Sequence, residues 1–552
     1  MLLDSNPMRS IPLRLWLLAV VSALLQALPF AIAGPVPSWR RVFCWIAFVP
    51  LIVAMLSRDR DGRILSTAQV AVLGYVSGIC WYIANCYWIY QTMYLYGGFP
   101  KPVALAILVL FSLYLGLYHA LFGWLISLMR GAAGLRGALL SAPFIWVSVE
   151  LARARITGFP WDLMGYSQVD NSVLTLLAPV GGVMMLSFII IAVSSLIAST
   201  CVPTMQRVRS RTPWVLVLVG LGIVAVEYAG NHYRPAVDPA TSFATLLQEN
   251  LAVGATGNEI APLTTEEKYH QFSEWSRFPY FLGDKQGTGG DWTRLLEVGN
   301  RPKSSLIIWP EAPAGFNTYD NIFRARVGEL AKATGATVVA GSVGVDFDPE
   351  IQRGYREFGS AAVFDQSGKY VGRYDKIHRV PWGEYVPYKH FFFFAGKLVA
   401  GVGNMDAGTE HTVFHEQGHG LGIFICYESI FGDEVRQFVN DGADVLVNIS
   451  DDGWYGDTGA PWQHLDMARM RAMENRRWIL RDTNTGVTTA IDPHGRGIFT
   501  TPRHVRAAFA FPFGYRTDLT FYTRHGDWFA WLCVLITVAL FALSFMRRSE
   551  VH

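Results

Sequence analysis

Before residue 230 the chain strings together apolar runs too long and too closely spaced for the inside of a soluble domain. Residues 15–33, 42–56, 67–90, 103–129, 138–151, 173–201 and 214–228 are almost free of charge, and an eighth such run covers residues 528–546. A helix rises about 1.5 Å per residue, so about 20 apolar residues cross a hydrocarbon layer of ~30 Å while satisfying every backbone group internally. The chain is therefore expected to be polytopic in a membrane, with about eight spanning helices. Composition agrees, since 51% of the 552 residues are hydrophobic and only 16% charged, which excludes a purely soluble domain. Ala31-Ile32-Ala33 mimics a signal-peptidase site, but the next run follows at once, so the first run is expected to stay as a span.

Net charge is +2 with no long basic run, so the electrostatic footprint of a nucleic-acid partner is missing. The arginines instead report sidedness. Arg9 and Arg14, then Arg58, Arg60 and Arg63, then Arg130 and Arg136, then Arg207, Arg209 and Arg211, and finally Arg547 and Arg548 fall on one side of the expected bilayer. Arg40, Arg41, Lys101, Arg153 and Arg155 fall on the other. Short cytoplasmic loops carry the excess of positive charge, which puts both termini in the cytoplasm. An odd number of runs before residue 230 then sends residues 231–525 outside, into a periplasm-like space. The expected division is a membrane domain over 1–230, an outer catalytic domain over 231–525, and a last span with a short cytoplasmic tail over 526–552.

The outer segment is long enough for a core of its own. Apolar runs at 243–248, 305–309, 337–343, 361–364, 421–425, 445–449 and 488–491 read as strands, with helical stretches at 322–333 and 464–477. This alternation predicts a layered α/β domain. Residues 281–291, with Gly283, Gly287, Gly289 and Gly290, read as a flexible insertion.

Five cysteines, Cys44, Cys80, Cys86, Cys201 and Cys533, lie in the apolar runs, which leaves Cys426 without a partner in the outer segment. Cys426 ends a strand-like run and precedes a polar turn and a helix start, where open α/β sheets present groups to a ligand crevice. A lone cysteine is more often a small buried hydrophobe, and context must reverse that. Glu311 follows Trp309-Pro310, while Lys376 and Glu384 share a loop stiffened by Pro381 and Pro387. Singly, these read as a helix-start charge and a solvated lysine. Jointly, they supply a base, a nucleophile and an electrophilic clamp. A free thiol near pKa ~8.5 and a carboxylate near ~4.3 differ enough that moving the proton costs roughly 6 kcal/mol in water. Burial must raise the acid and a cation must lower the thiol; Lys376 can do the second and then hold an oxyanion beside the N–H that follows Cys426.

His415-Glu416-Gln417-Gly418-His419 matches the His-Glu-x-x-His zinc pattern, which needs both histidines on one helix face. Gly418, Gly420 and Gly422 oppose a helix, so a hairpin leading into Cys426 is expected instead, and no metal site.

Trp309-Pro310-Glu311, Lys376 within Tyr374-Asp375-Lys376-Ile377-His378, and Cys426-Tyr427-Glu428 resemble the Glu-Lys-Cys triad of the nitrilase superfamily. Further stretches are Gly158-Phe159-Pro160-Trp161, Gly165-Tyr166-Ser167-Gln168, Val380-Pro381-Trp382-Gly383-Glu384-Tyr385-Val386-Pro387, and Pro461-Trp462-Gln463-His464 continuing through Met467-Ala468-Arg469-Met470-Arg471-Ala472. With these, the chain resembles the membrane-embedded apolipoprotein N-acyltransferase family over nearly its whole length. The resemblance implies a polytopic α-helical membrane domain of about eight spans plus an α/β nitrilase-like αββα sandwich. It implies transfer of a fatty acyl group from a phospholipid to the free α-amino group of a diacylglyceryl-cysteine apolipoprotein, ping-pong through a thioester on Cys426. The implied setting is the bacterial inner membrane, with the catalytic domain facing the periplasm. Glu311 would be the base, Lys376 the oxyanion clamp and Glu384 an accessory carboxylate, with Tyr427, Glu428 and Trp454 lining the site. The implied partners are the phospholipid donor, the apolipoprotein acceptor and the bilayer; no cofactor is implied, and the chain would act as a monomer.

The chain departs from the family pattern at Asp451, where asparagine is usual, and in lacking a tryptophan within residues 250–262. A membrane-tethered amidase using the same triad is the competing enzyme reading, and a domain that only binds lipoproteins is the non-enzymatic one. Phe391-Phe392-Phe393-Phe394 is expected to be an interfacial anchor or acyl-chain lid, or else part of the core.

Overall fold

The computed structural model describes residues 11–202, 212–236, 239–251, 253, 265–278, 280–282, 302–311, 315–351, 353–381, 383–385 and 405–549. The apolar runs form helices. Five segments, Ser38–Leu56, Thr67–Asn85, Lys101–Thr157, Leu174–Cys201 and Trp214–His232, are long and apolar enough to cross a membrane, and Leu13–Ala27 and Trp528–Leu543 are shorter apolar helices. Two expected runs are thus joined: residues 103–129 and 138–151 both fall in Lys101–Ala152, which is broken by non-helical backbone at Gly134, φ 70°. Glycine takes that left-handed value without steric cost, so the break leaves almost no trace in hydropathy. The run at 67–90 ends at Asn85, and Trp88–Leu95 is a separate helix.

Small residues let the helices approach, as expected where lipid offers no hydrophobic drive for association. A Cβ on Gly74 would stand 2.3 Å from the His119 carbonyl oxygen, and one on Gly123 would stand 2.7 Å from that of Val70. The two arginine groups are also separated in space. Arg130 donates to the carbonyls of Met55 (3.4 Å) and Ser57 (3.2 Å), next to Arg58. Arg41 instead reaches Asp466 (3.2 Å), and Arg155 reaches Asp433 (2.8 Å) and Asp527 (2.6 Å), on the side of the α/β part.

The α/β part contains strands β1 (Ser242–Gln248), β2 (Tyr280–Leu282), β3 (Leu306–Trp309), β4 (Thr337–Phe347), β5 (Tyr355–Phe364), β6 (Tyr370–Asp375), β7 (Val413–Glu416), β8 (His419–Ile425), β9 (Val445–Ser450), β10 (Ile479–Thr483), β11 (Thr489–Ile491), β12 (Gly497–Thr500) and β13 (Arg506–Phe513). One sheet has the order β2-β13-β1-β3-β4-β5-β6 and the other β12-β11-β10-β9-β8-β7. The centres, β1-β3-β4 and β8-β9-β10, are parallel. Leu246, Ile308, Val339 and Val363 of the first sheet share one core with Ile423 and Val447 of the second.

Helices cover the two outer faces. Tyr269 of Thr265–Arg277 and Phe323 and Val327 of Asn321–Thr334 pack on Ile307, Val338 and Ala362. Val435 and Phe438 of Gly432–Asn440 and Ala468 of Ala460–Asn475 cover the second sheet, completing an αββα sandwich. Helix Ala460–Asn475 serves two masters: Met467, Met470 and Met473 belong to the core of the membrane helices. Its Gln463 donates to the Ala31 carbonyl at 2.8 Å, and its Glu474 accepts the Val183 N–H at 2.9 Å.

All seven expected strand runs are present, as β1, β3, β4, β5, β8, β9 and β11. The most instructive of those not expected is β10, where Arg481 and Asp482 interrupt the apolar pattern although every residue of the strand is buried.

Candidate active site

Three strand ends meet at one edge of the sandwich. Pro310 takes the chain out of β3 and delivers Glu311; β6 ends one residue before Lys376; β8 runs directly into Cys426. Lys376, with a side chain 1% exposed, donates to Glu311 Oε1 at 3.1 Å and to Glu384 Oε1 at 2.6 Å. Each carboxylate is aimed by a backbone donor at its second oxygen: the Asp451 N–H reaches Glu311 Oε2 at 3.0 Å, and the Val380 N–H reaches Glu384 Oε2 at 2.9 Å. Burial pulls the lysine pKa down, but the Glu311 and Glu384 carboxylates outweigh it and hold the ammonium charged, well above 10.5. Both Glu311 and Lys376 bear on the Cys426 thiol. Burial and the Glu311 carboxylate push it well above 9.0 against the opposing pull of Lys376, so the resting group is a thiol. For that sulfur to attack a carbonyl, its proton would have to leave.

Cys426 opens the tight turn Cys426–Ile430 with φ 50°, a left-handed value that side-chain-bearing residues seldom adopt and that the surroundings must enforce. Glu428 supplies part of that enforcement. Its Oε1 accepts from the Ile377 N–H (2.6 Å), the His378 N–H (3.1 Å) and the Tyr374 hydroxyl (2.8 Å), and its Oε2 accepts from the Ile425 N–H (2.6 Å). One side chain therefore clips the Lys376 loop to the end of β8, and burial pushes its carboxyl up to about 7.

The remaining expected site residues stand at the joint with the helical part. The Tyr427 hydroxyl donates to the Gly158 carbonyl at 3.1 Å. The Trp454 carbonyl accepts from Thr92 Oγ1 at 2.9 Å, and its ring centroid lies 6.0 Å from that of Tyr96. Trp382 and Phe391 to Phe394 lie outside the described residues.

Residue chemistry alone missed the backbone N–H of Asp451, since a backbone donor has no sequence signature. The Asp451 side chain accepts from Asn484 Nδ2 at 3.0 Å and from the Gly453 N–H at 3.0 Å, and burial pushes its carboxyl up to about 7. Also missed was the role of Asp452, His464 and Arg481, three fully buried side chains in mutual contact.

The zinc pattern is a hairpin. Glu416 pairs with His419 across β7 and β8, and Gln417 and Gly418 turn the chain with φ 56° and 81°. His419 stacks on Tyr515 with ring centroids 3.6 Å apart. Among the described residues no group of three or more His, Cys, Asp or Glu is arranged to hold a metal.

Residues 22–196 match the apolipoprotein N-acyltransferase N-terminal domain, and residues 278–507 match the carbon-nitrogen hydrolase family. The apolipoprotein N-acyltransferase of Geobacter metallireducens is 32% identical, over 98% of this chain and 98% of its own length. That of Methylococcus capsulatus is 32% identical, over 97% of this chain and 96% of its own. Among solved structures, Saccharomyces cerevisiae Nit3, a member of branch 10 of the nitrilase superfamily, is 13% identical, with 50% of this chain and 93% of that chain covered and a TM-score of 0.35. With both halves matched by their own domain families and relatives aligned from end to end, the chain belongs to the apolipoprotein N-acyltransferase family.

Proposed function

We propose that this chain transfers a fatty acyl group from a membrane phospholipid to the free N-terminal α-amino group of an S-diacylglyceryl-cysteine apolipoprotein, through a thioester on Cys426. The observation that carries the reading is the buried lysine held 3.1 Å from Glu311 and 2.6 Å from Glu384 beside a buried thiol. In the first half-reaction Glu311 takes the thiol proton as the sulfur bonds to the ester carbonyl carbon. The carbonyl π pair moves to oxygen, and the Lys376 ammonium and the Tyr427 N–H hold that oxyanion. Collapse breaks the ester C–O bond, and protonated Glu311 returns the proton to the departing lysophospholipid oxygen. In the second half the neutral amine attacks the thioester, Glu311 takes the amine's proton, and the sulfur leaves and is reprotonated.

Glu384, held by the Val380 N–H, keeps Lys376 aimed while Glu311 trades its proton. Glu428 holds the lysine loop against the nucleophile turn, and Tyr427 and Trp454 line the approach from the lipid. Residues 1–230 form the membrane domain, 231–525 the catalytic domain and 526–552 the final span and tail, with about eight crossings in all. The Lys101–Thr157 segment has length for two of them, about 85 Å at the helical rise, and a break at Gly134. The separated arginine groups support an orientation with both termini cytoplasmic and the catalytic domain on the periplasmic face of the bacterial inner membrane. The chain acts as a monomer.

Intact-mass analysis of the purified chain incubated with phospholipid tests the reading. An acyl adduct that neutral hydroxylamine removes, that Cys426→Ala lacks, and that disappears on adding a diacylglyceryl-cysteine peptide is the expected result. An adduct that hydrolyses rapidly without any amine identifies an amidase instead.

A further inference from the structure

We propose that His464 is a positioning residue that fixes the carbonyl of Cys426 and thereby the direction of its sulfur; this rests on Cys426 being the acylated nucleophile. The ring comes from helix Ala460–Asn475 and is fully buried. Its Nε2 stands 3.0 Å from the Cys426 carbonyl oxygen and 2.7 Å from Ser429 Oγ. Its Nδ1 stands 2.9 Å from Asp452 Oδ1 and 3.1 Å from Arg481 Nη2. A carbonyl oxygen only accepts, so the ring that serves Cys426 carries its proton on Nε2. Nδ1 faces both the Asp452 carboxylate and the Arg481 guanidinium, donating to the first when it carries a proton and accepting from the second when it does not. Burial, and next the Arg481 charge, lower the His464 pKa from its usual 6.5 against the opposing pull of Asp452.

Two features make this bond more than core filling. Cys426 is held at φ 50°, and its carbonyl lies just past the end of β8, beyond the reach of the parallel ladder that pairs as far as Ile425 with Ile449. His464 Nε2 reaches that carbonyl from a different element, at 3.0 Å. His464 also connects the nucleophile to the base. Asp452 follows Asp451, whose N–H aims Glu311, and Asp452 is itself pinned by Arg481 Nη2 at 2.7 Å and Ser450 Oγ at 2.9 Å. One continuous path thus runs from Glu311 through Asp451, Asp452 and His464 to the Cys426 carbonyl. The imidazole also stacks on Trp161, centroids 5.8 Å apart and planes 18° from parallel, so a loop of the helical part presses on the same ring. His464 touches neither substrate nor reacting atoms; it sets the spacing between the groups that do.

Two amide substitutions separate the ring's two nitrogens. His464→Gln keeps a donor where Nε2 stands, and His464→Asn keeps one where Nδ1 stands. With full-length protein in phospholipid nanodiscs, single-turnover formation of the Cys426 adduct is expected to slow at least about 100-fold in the Asn variant, with the phospholipid KM within about threefold, the size of loss that a misplaced reacting atom produces. The Gln variant is expected to stay within about tenfold of the parent chain, with the two variants melting at similar temperatures. Equal losses in both, or an Asn variant at the parent rate, would overturn the proposal. Cys426→Ala run alongside separates the two claims: an adduct that persists there removes the nucleophile, while its absence there beside an unaffected Asn variant removes only His464. A second measurement needs no stable variant. In the ¹⁵N-histidine-labelled parent chain, the signal lost on His464→Gln is expected to show a protonated Nε2 at about pH 6 to 8, and an unprotonated Nε2 sinks the proposal.

Discussion

Two clusters of buried charge lie a few residues apart in the α/β part and differ in how completely they are enclosed. In Lys376, Glu311 and Glu384 the cation is 1% exposed but its two carboxylates keep 16% and 17% of their side-chain surface open. In Asp452, His464 and Arg481 all three side chains are 0% exposed. Both clusters are hydrogen-bonded ion networks around a buried cation, although Arg481 Nε has no partner among the described residues, so charge and burial of the cation do not distinguish them. The open edge does. A carboxylate with an accessible face can receive a proton from a substrate; one sealed on every side can only hold its neighbours. The first cluster is therefore read as the reacting group and the second as its frame, and each prediction below presses on that distinction.

The largest effect is expected in the open cluster. Cys426→Ser is expected to abolish the covalent adduct, and Glu311→Gln to slow its formation by roughly 10³-fold or more, because the amide keeps the volume and loses the proton acceptor. Melting temperatures measured in the same detergent should stay within a few degrees of the parent. A Glu311→Gln chain that acylates at the normal rate would move the base elsewhere and blur the comparison.

Next comes Arg481 of the sealed cluster, whose loss should appear mainly in stability. Arg481→Met leaves Asp452 buried with no guanidinium, and losing one partner of a buried ion pair costs about 3–5 kcal/mol. Denaturation of this variant should shift strongly, with activity falling only in step with the folded fraction. Normal stability with a selective loss of rate would place Arg481 in the chemistry instead.

A smaller effect is expected for Glu384→Gln, which weakens the aim of Lys376 without removing the base. Adduct formation should drop by about 10- to 100-fold, mostly in kcat. A loss as deep as that of Glu311→Gln would make the two carboxylates equivalent.

The smallest prediction concerns Asp451, which borders both clusters. Its carboxyl titrates at about 7 in the folded chain against 3.8 when free. The folded state therefore binds more protons between those values, so stability falls as pH rises from about 4 to about 7 and then levels off. Asparagine carries no such proton. Asp451→Asn should raise the melting temperature by a few degrees at about pH 8, with the gain vanishing near pH 4. A gain independent of pH would mean that the carboxyl is not held protonated.

Much of the chain is legible in its sequence. Apolar runs announced the helices, the run at 421–425 announced the strand that ends in Cys426, and Gly418 and Gly420 argued against a zinc helix where a hairpin stands. Glu311 and Cys426 stood out because each ends a readable strand, and Lys376 because it lies in a proline-stiffened loop and has chemistry that the other two need. Strand β10 was not legible, because Arg481 and Asp482 point charge into places that periodicity reserves for apolar groups. Glu428 was expected to line the site and instead spends its oxygens on three backbone N–H groups and a tyrosine. His464 lay inside a matched motif without any role assigned.

What the sequence by itself determined is local: where the chain crosses apolar surroundings, where strands end, and which side chains have the chemistry for thiol-based acyl transfer. The tertiary structure decided which of many buried charges face one another, and on which side each is open. The Glu311 carboxylate is aimed by a backbone donor 140 positions away, and the Arg155 guanidinium finds Asp433 at a separation of 278. Periodicity and propensity act over a few residues. The pairing of distant charges is set by how two sheets and their helices pack, and that packing leaves Glu311 and Glu384 an open face while it seals Asp452 completely.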